Sequence, residues 1–168
     1  MTHGDRERLF LELFHQNKAS IQRLCWGYLD SPQDAEDLFQ EIMANVWNSL
    51  PSFRGEAKIS TWVYRIAVNT ALVHRKKWKR GEELTDIADA RPGAQQDLER
   101  RERLALLRKA IAALAAQDRL IVTLLLEGLS YKEMAEITGL TVNHVGVKIS
   151  RIKQALEQNM LEAANGCD

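Results

Sequence analysis

Seven consecutive residues, His74-Arg-Lys-Lys-Trp-Lys-Arg80, place five cations and one indole at the end of an otherwise apolar helical stretch. Basic side chains of this kind neutralise phosphates, and an aromatic ring among them stacks on exposed bases. The plainer reading is a solvated helix end favoured by the helix dipole. A second segment favours the first reading. Gly128-Leu-Ser-Tyr-Lys-Glu-Met-Ala-Glu-Ile-Thr-Gly-Leu-Thr-Val-Asn-His-Val145 reads as two short helices joined by a tight turn. Ser130 with Glu133 is a capping box that starts a helix at Tyr131. Gly139 supplies the left-handed residue that ends it. Thr141 then caps a helix running to about residue 160. Ala135 leaves room for that helix to cross closely, and Leu140, Val145 and Ile149 give it a buried side. Asn143, His144, Lys148 and Arg151 are left facing outward. Small residue, glycine and apolar residue at these offsets are the signature of a helix-turn-helix, whose second helix enters the major groove. An ordinary helical hairpin is the bland alternative.

Those chemistries need helices to carry them. The chain has 168 residues, 45% of them apolar, with 9 glycines and 3 prolines, which favours an all-helical globular protein. Expected helices cover about 5–17, 18–29, 31–50, 60–80, 97–116 and 118–127, ahead of the helix-turn-helix. Ser31-Pro32 opens the third, with serine as cap and proline at the first helical position, and Pro51 stops it. Ser60 is expected to cap the fourth and Gly81 to end it. Residues 81–96 are acidic, hold Pro92-Gly93 and show no helical stripe, which reads as a flexible interdomain linker. Two small helical domains, 1–80 and 97–168, follow from that division.

Net charge is zero, which by itself argues against a strongly basic nucleic-acid binder. Its distribution is uneven. Residues 1–80 carry 12 Lys+Arg against 9 Asp+Glu, residues 81–102 carry 3 against 7, and residues 103–168 carry 8 against 7. The acidic middle hides a small positive excess on either side.

The third expected helix is two-faced. At about 100° per residue, Ala35, Leu38, Ile42, Val46 and Ser49 share one side. Asp37, Glu41, Ala44 and Asn48 share the other, with Asp34 and Gln40 at its edges. An acidic strip flanked by Trp47 suits a basic partner helix, although most such strips are simply solvated faces. Catalytic signals are absent from the pattern. His3, His15, His74 and His144 are scattered, and Cys25 and Cys167 lie far apart, so neither a metal site nor a cofactor is expected. No glycine-rich phosphate loop occurs. No apolar run approaches the roughly 18 residues of a membrane span, and a reduced cytoplasm is the simplest home.

Taken together these segments resemble the extracytoplasmic-function sigma factors of bacterial RNA polymerase, within the sigma-70 family. Asp34-Ala-Glu-Asp-Leu-Phe-Gln-Glu41 with Trp47 is similar to their polymerase-binding segment. Ser52-Phe-Arg-Gly-Glu56 and Thr61-Trp-Val-Tyr-Arg-Ile-Ala-Val-Asn-Thr-Ala71 are similar to their promoter-melting segment, and Leu126–Ile137 to the start of their C-terminal DNA-binding domain. The resemblance spans nearly the whole chain in order and spacing. It implies that Asp37, Gln40, Glu41, Trp47 and Asn48 meet the clamp coiled coil of the large subunit of core RNA polymerase. It implies that the loop before Ser60 and the following helix, with Trp62, Arg65 and Asn69, capture an unpaired base of the minus-ten element of promoter DNA, while Arg75, Lys76, Lys77, Lys79 and Arg80 hold its backbone. Asn143, His144, Val147, Lys148, Ser150 and Arg151 would read the minus-thirty-five element, and an anti-sigma factor would hold the chain inactive. One departure stands out. After Val145 the family commonly carries a basic residue and then serine, where this chain has Gly146 and Val147; the glycine costs a helix about 1 kcal/mol relative to alanine. Val147 offers a methyl surface to thymine instead.

The competing reading is a response-regulator-type helix-turn-helix, whose front half would be an α/β receiver with short strands; a helical enzyme has nothing positive behind it. The division at 81–96 sets the first test. Limited proteolysis is expected to cut there first and leave two stable fragments, and an earlier cut inside 1–80 or 97–168 would overturn it.

Overall fold

A computed structural model describes residues 3–29, 31–78 and 98–165. These form seven α-helices: α1 (His3–Tyr28), α2 (Pro32–Ser49), α3 (Ile59–Trp78), α4 (Leu98–Ala112), α5 (Ala116–Leu126), α6 (Tyr131–Thr138) and α7 (Val142–Asn165), with a 3-10 turn at Leu50–Ser52. No strand occurs among the described residues. The all-α expectation holds, and the strands a receiver domain needs are missing from the described front half.

The first two expected helices are one. Nothing between Asn17 and Lys18 breaks α1, because the Asn17 amide donates to the Leu13 carbonyl at 2.9 Å within the helix. Asn17 is 7% exposed and lies on the same stripe as Leu13, Ile21, Leu24 and Tyr28. An asparagine that satisfies itself this way need not end a helix. The Ser31 hydroxyl caps α2 by accepting from the Asp34 N–H, with Pro32 at the first helical position. Pro51 sits at the start of the 3-10 turn, where its missing N–H leaves no bond unmade. Gly55, at φ +75°, reverses the chain before α3. That helix begins one residue ahead of expectation. The Trp62 N–H already bonds to the Lys58 carbonyl, so Ser60 lies within the first turn rather than at the cap.

In the front half α1, α2 and α3 bury Leu24, Leu38, Ile42, Val46, Val63, Ala67 and Ala71 together. Burying each large aliphatic side chain is worth about 1.5–3 kcal/mol, so this stripe outweighs any single polar contact here. One of those contacts, Asn45 donating to the Thr70 hydroxyl at 3.0 Å, fixes the rotation of α2 against α3. In the back half the chain turns at 113–115, where Leu114 is drawn into the core, so α4 and α5 divide earlier than the sequence pattern suggests. Met134, Ile137, Val145, Ile149 and Ile152 close that core. The final helix continues past residue 160 to Asn165, anchored where the Asn159 amide donates to the Ala110 carbonyl at 3.1 Å.

The two halves are in direct contact. α1 packs on α5, and α3 on α6, and the buried apolar residues form one cluster through both. The expected linker, 81–96, lies outside the described residues.

The capping box of α6 generates a pH prediction. The Glu133 carboxylate accepts from the Ser130 backbone N–H at 3.0 Å and from its hydroxyl at 2.7 Å. These bonds, the backbone one foremost, and the nearby Lys58 ammonium hold its pKa down to about 2 from an ordinary 4.5. The unfolded chain therefore binds this proton more tightly than the folded one. The stabilisation is full above about pH 4.5 and is lost as the pH falls towards 2. Glu133→Ala is expected to lower the melting temperature at neutral pH, with the gap to the parent closing over that acid range. A gap that is the same at both ends of the range would overturn the assignment.

Candidate nucleic-acid and polymerase interfaces

Along α2 the outward face is as expected. Asp37, Gln40, Ala44 and Asn48 are exposed, while Ala35, Leu38, Ile42 and Val46 are buried on the other side. Phe39 and Met43, which the two-face reading did not use, are buried as well and widen the core side. Glu41 is half-buried and its carboxylate lies 3.7 Å from His74 Nε2 on α3. Trp47 departs from a simple docking side chain. Its ring is half-buried and meets Phe10 edge-on at 5.3 Å, while the Arg6 guanidinium lies 4.0 Å over its face. Arg6 Nε also donates to the Trp47 carbonyl at 3.1 Å. A cation on a partly desolvated indole is worth about 1–2 kcal/mol, so Trp47 first of all ties the start of α1 to the end of α2.

On α3, Trp62, Arg65 and Asn69 fall at three- and four-residue spacing and so share a face. Arg65 and Asn69 are exposed; Trp62 is half-buried under Phe53, with ring centroids 5.1 Å apart. Phe53 belongs to the Ser52–Glu56 stretch quoted from the sequence, where its stacking on Trp62 was not foreseen. The Arg65 Nε donates to the Glu136 carbonyl of α6 at 3.1 Å. The backbone at Arg75, Lys76 and Lys77 belongs to α3. Their side chains, and Lys79 and Arg80 entirely, lie outside the described residues.

The helix-turn-helix forms as its signals require. Both halves of the capping box are made, Gly139 takes φ +74°, and the His144 N–H bonds to the Thr141 hydroxyl at 3.2 Å. Val145, Ile149 and Ile152 are buried; Asn143, His144, Val147, Ser150 and Arg151 are exposed together on the opposite face of α7. Lys148 stands apart. It is half-buried, and its ammonium is 2.8 Å from Asp118 Oδ1 on α5. Gly146 lies beside Tyr131: a Cβ added there would sit 3.7 Å from the tyrosine ring, ordinary contact. Tyr131 is 40% exposed, another residue on this surface that the sequence reading used only to mark a helix start.

Cys25 is fully buried, and burial above all pushes its thiol up to about 12, so it is inert as a nucleophile or metal ligand. No helix among the described residues is long and apolar enough to cross a membrane.

A helical front half with an acidic outer strip is joined to a helix-turn-helix whose α7 leaves Asn143, His144, Val147, Ser150 and Arg151 exposed, the architecture of a helix-turn-helix DNA-binding protein. Sigma-70 region 2 matches residues 13–81, and Sigma-70, region 4 matches residues 104–156. The RNA polymerase sigma-H factor of Pseudomonas aeruginosa is 33% identical over 92% of this chain and 87% of its own length. The ECF RNA polymerase sigma-E factor of Escherichia coli is 33% identical over 94% and 88%, and the sigma factor YlaC of Bacillus subtilis 31% over 90% and 92%. Two solved structures share the fold. One is the sigma factor RpoE in complex with the anti-sigma factor NepR from Bartonella quintana, with TM-score 0.73, 22% identity and coverage of 90% of this chain and 96% of that one. The other is CnrH in complex with the cytosolic domain of CnrY, at 0.69, 20%, 94% and 90%. The chain belongs to the sigma-70 family of RNA polymerase sigma factors, in its extracytoplasmic-function group. It is a transcription initiation factor that directs core RNA polymerase to promoters, and the response-regulator alternative falls away.

Arg151 and Lys148 now separate. Arg151→Ala is expected to weaken upstream-element binding by the holoenzyme by about 1–3 kcal/mol, relaxing preference at one base if the contact is bidentate to guanine. Lys148→Ala removes a partner of Asp118 and should change stability by about 0–1 kcal/mol while leaving base preference alone. Titration against a panel of upstream-element variants distinguishes them; a larger specificity change from Lys148→Ala would reverse the assignment.

Proposed function

We propose that this sigma factor divides its work between its two domains along the surfaces described above. The exposed acidic face of α2, with Asp37, Gln40, Glu41 and Asn48, docks the clamp coiled coil of the large polymerase subunit, and Trp47 braces it. Trp62, Arg65 and Asn69 of α3 take the unpaired minus-ten base, with the basic end from Arg75 to Arg80 on the backbone. Asn143, His144, Val147, Ser150 and Arg151 of α7 read the minus-thirty-five element. An anti-sigma factor, as NepR is for the RpoE structural neighbour, keeps the chain from polymerase. The protein works in the cytoplasm, through binding alone, with no catalytic residue of its own. The observation that carries this reading is the pairing of one acidic outer face with one bare recognition face on separate domains of the same chain.

Promoter-specific initiation in vitro with added core polymerase tests it. A requirement for a second sigma factor would refute it. Asp37→Ala should leave folding within about 0.5 kcal/mol, since the side chain is exposed. Glu41→Ala should cost somewhat more, because it also faces His74. The double variant should lose core-enzyme affinity in a pull-down, and unchanged capture would remove α2 from the polymerase interface.

A further inference from the structure

The exposed side of α7 has two flanks, and a different neighbour meets each. On one, the Lys148 ammonium is paired with Asp118 of α5 at 2.8 Å. On the other lies Gly146. It stands three residues after Asn143 and four before Ser150, the spacings that make neighbours on a helix surface, and both of those are exposed. The ring of Tyr131 from α6 lies against it. The Cε2 and Cδ2 edge of that ring is 3.7 and 3.9 Å from where a Cβ of residue 146 would stand. Tyr131 is the first residue of α6, and the capping box beside it fixes its backbone. The side chain nevertheless stays exposed.

This flank is short of the groups that usually hold DNA. From Val142 to Val147 the helix carries no Lys or Arg, and the first cation after them, Lys148, is already engaged. Gly146 adds no side chain at all, at a place where glycine is unfavourable to the helix. A helix with its side chains is about 10–12 Å across and the major groove about 12 Å wide. A helix seated there therefore has its flanks against the two phosphate walls.

We propose that Tyr131 is a further promoter contact, its hydroxyl donating to a phosphate oxygen of the upstream element along the Gly146 flank. This rests on the reading of α7 as the helix that enters that element. The ring occupies the flank that a side chain at 146 would otherwise line. Tyrosine suits the place, with an apolar body to lie on a helix and a polar tip to reach a phosphate. A neutral hydroxyl positions the helix on the duplex without the sequence-independent attraction that a lysine or arginine brings. That matches a chain whose net charge is zero.

The test measures holoenzyme binding to labelled duplex upstream elements, the parent sequence from a promoter it transcribes and a panel of base variants, over a range of salt. Tyr131→Phe keeps the ring on α7 and removes only the hydroxyl. It should weaken binding about fivefold on every sequence and leave the salt slope as in the parent. The melting temperature should not change. Gly146→Ala adds one carbon at ordinary contact distance and should preserve the fivefold loss when combined with Tyr131→Phe. Gly146→Arg puts a cation on the same flank. The log–log salt slope should steepen by about one unit, and Tyr131→Phe should then cost less than about twofold, because the guanidinium has taken the phosphate. A Tyr131→Phe variant that binds like the parent would overturn the contact. So would a loss confined to one base position, or one that follows a fall in melting temperature. An equal loss in the Gly146→Ala and Gly146→Arg backgrounds would break the link between the tyrosine and the glycine. Arg151→Ala tells the two readings apart. If it weakens binding while Tyr131→Phe does not, this proposal alone fails; if neither does, the reading of α7 fails and the proposal with it.

Discussion

An isolated helix in water is marginal, and each of these becomes stable only by burying a stripe against another. One helix serves as that partner for three of the others. The stripe of Leu13, Asn17, Ile21, Leu24 and Tyr28 on α1 is the surface on which α2 and α3 pack, and the far end of the same helix receives α5. A helix of 26 residues is about 39 Å long, enough to run the length of one small domain and reach the next. Its continuity at Asn17 is therefore what lets a single element organise the front core and touch the back one.

Electrostatics repeats the theme of internal use. A formally neutral chain has little attraction to phosphate, and several of its cations are already engaged. Arg23 pairs with Glu127, Lys148 with Asp118, Lys58 with Glu133, and Arg6 covers Trp47. Exposed pairs add little stability, about 0–1 kcal/mol each, so their larger effect is on where positive potential remains available. What remains exposed on the outward side of α7 is Arg151, with Asn143, His144, Val147 and Ser150 around it.

The parts of this arrangement that were legible in the sequence are those set by neighbours a few residues apart. The capping box at Ser130 and Glu133, the left-handed Gly139, the Ser31-Pro32 start and the outward side of α2 are all local, and each stands where its chemistry puts it. The exposed side of α7 was legible for the same reason. What could not be seen depended on distant partners or on a side chain choosing between two local roles. Asn17 looked like a helix end and proved to bond within the helix. Trp47 and Lys148 looked outward on their own helices, until Arg6 and Asp118 arrived from others. Gly27 gave no signal, because a glycine near a helix end is unremarkable until the opposing Thr123 is known. The pairing of Arg23 with Glu127 is invisible to any window shorter than the chain.

Gly146 has a consequence for how such a protein changes its targets over generations. Its neighbour Tyr131 leaves ordinary room for a side-chain carbon, and the residue lies on the half-open flank of α7 rather than in the core. A larger residue entering there meets no buried wall, and replacing glycine in mid-helix firms the helix itself. The exposed side of α7 can thus acquire a new side chain by one codon change without a compensating change elsewhere. On the proposed reading of α7, a chain with this glycine stands one mutational step from an added side chain on its DNA-facing surface.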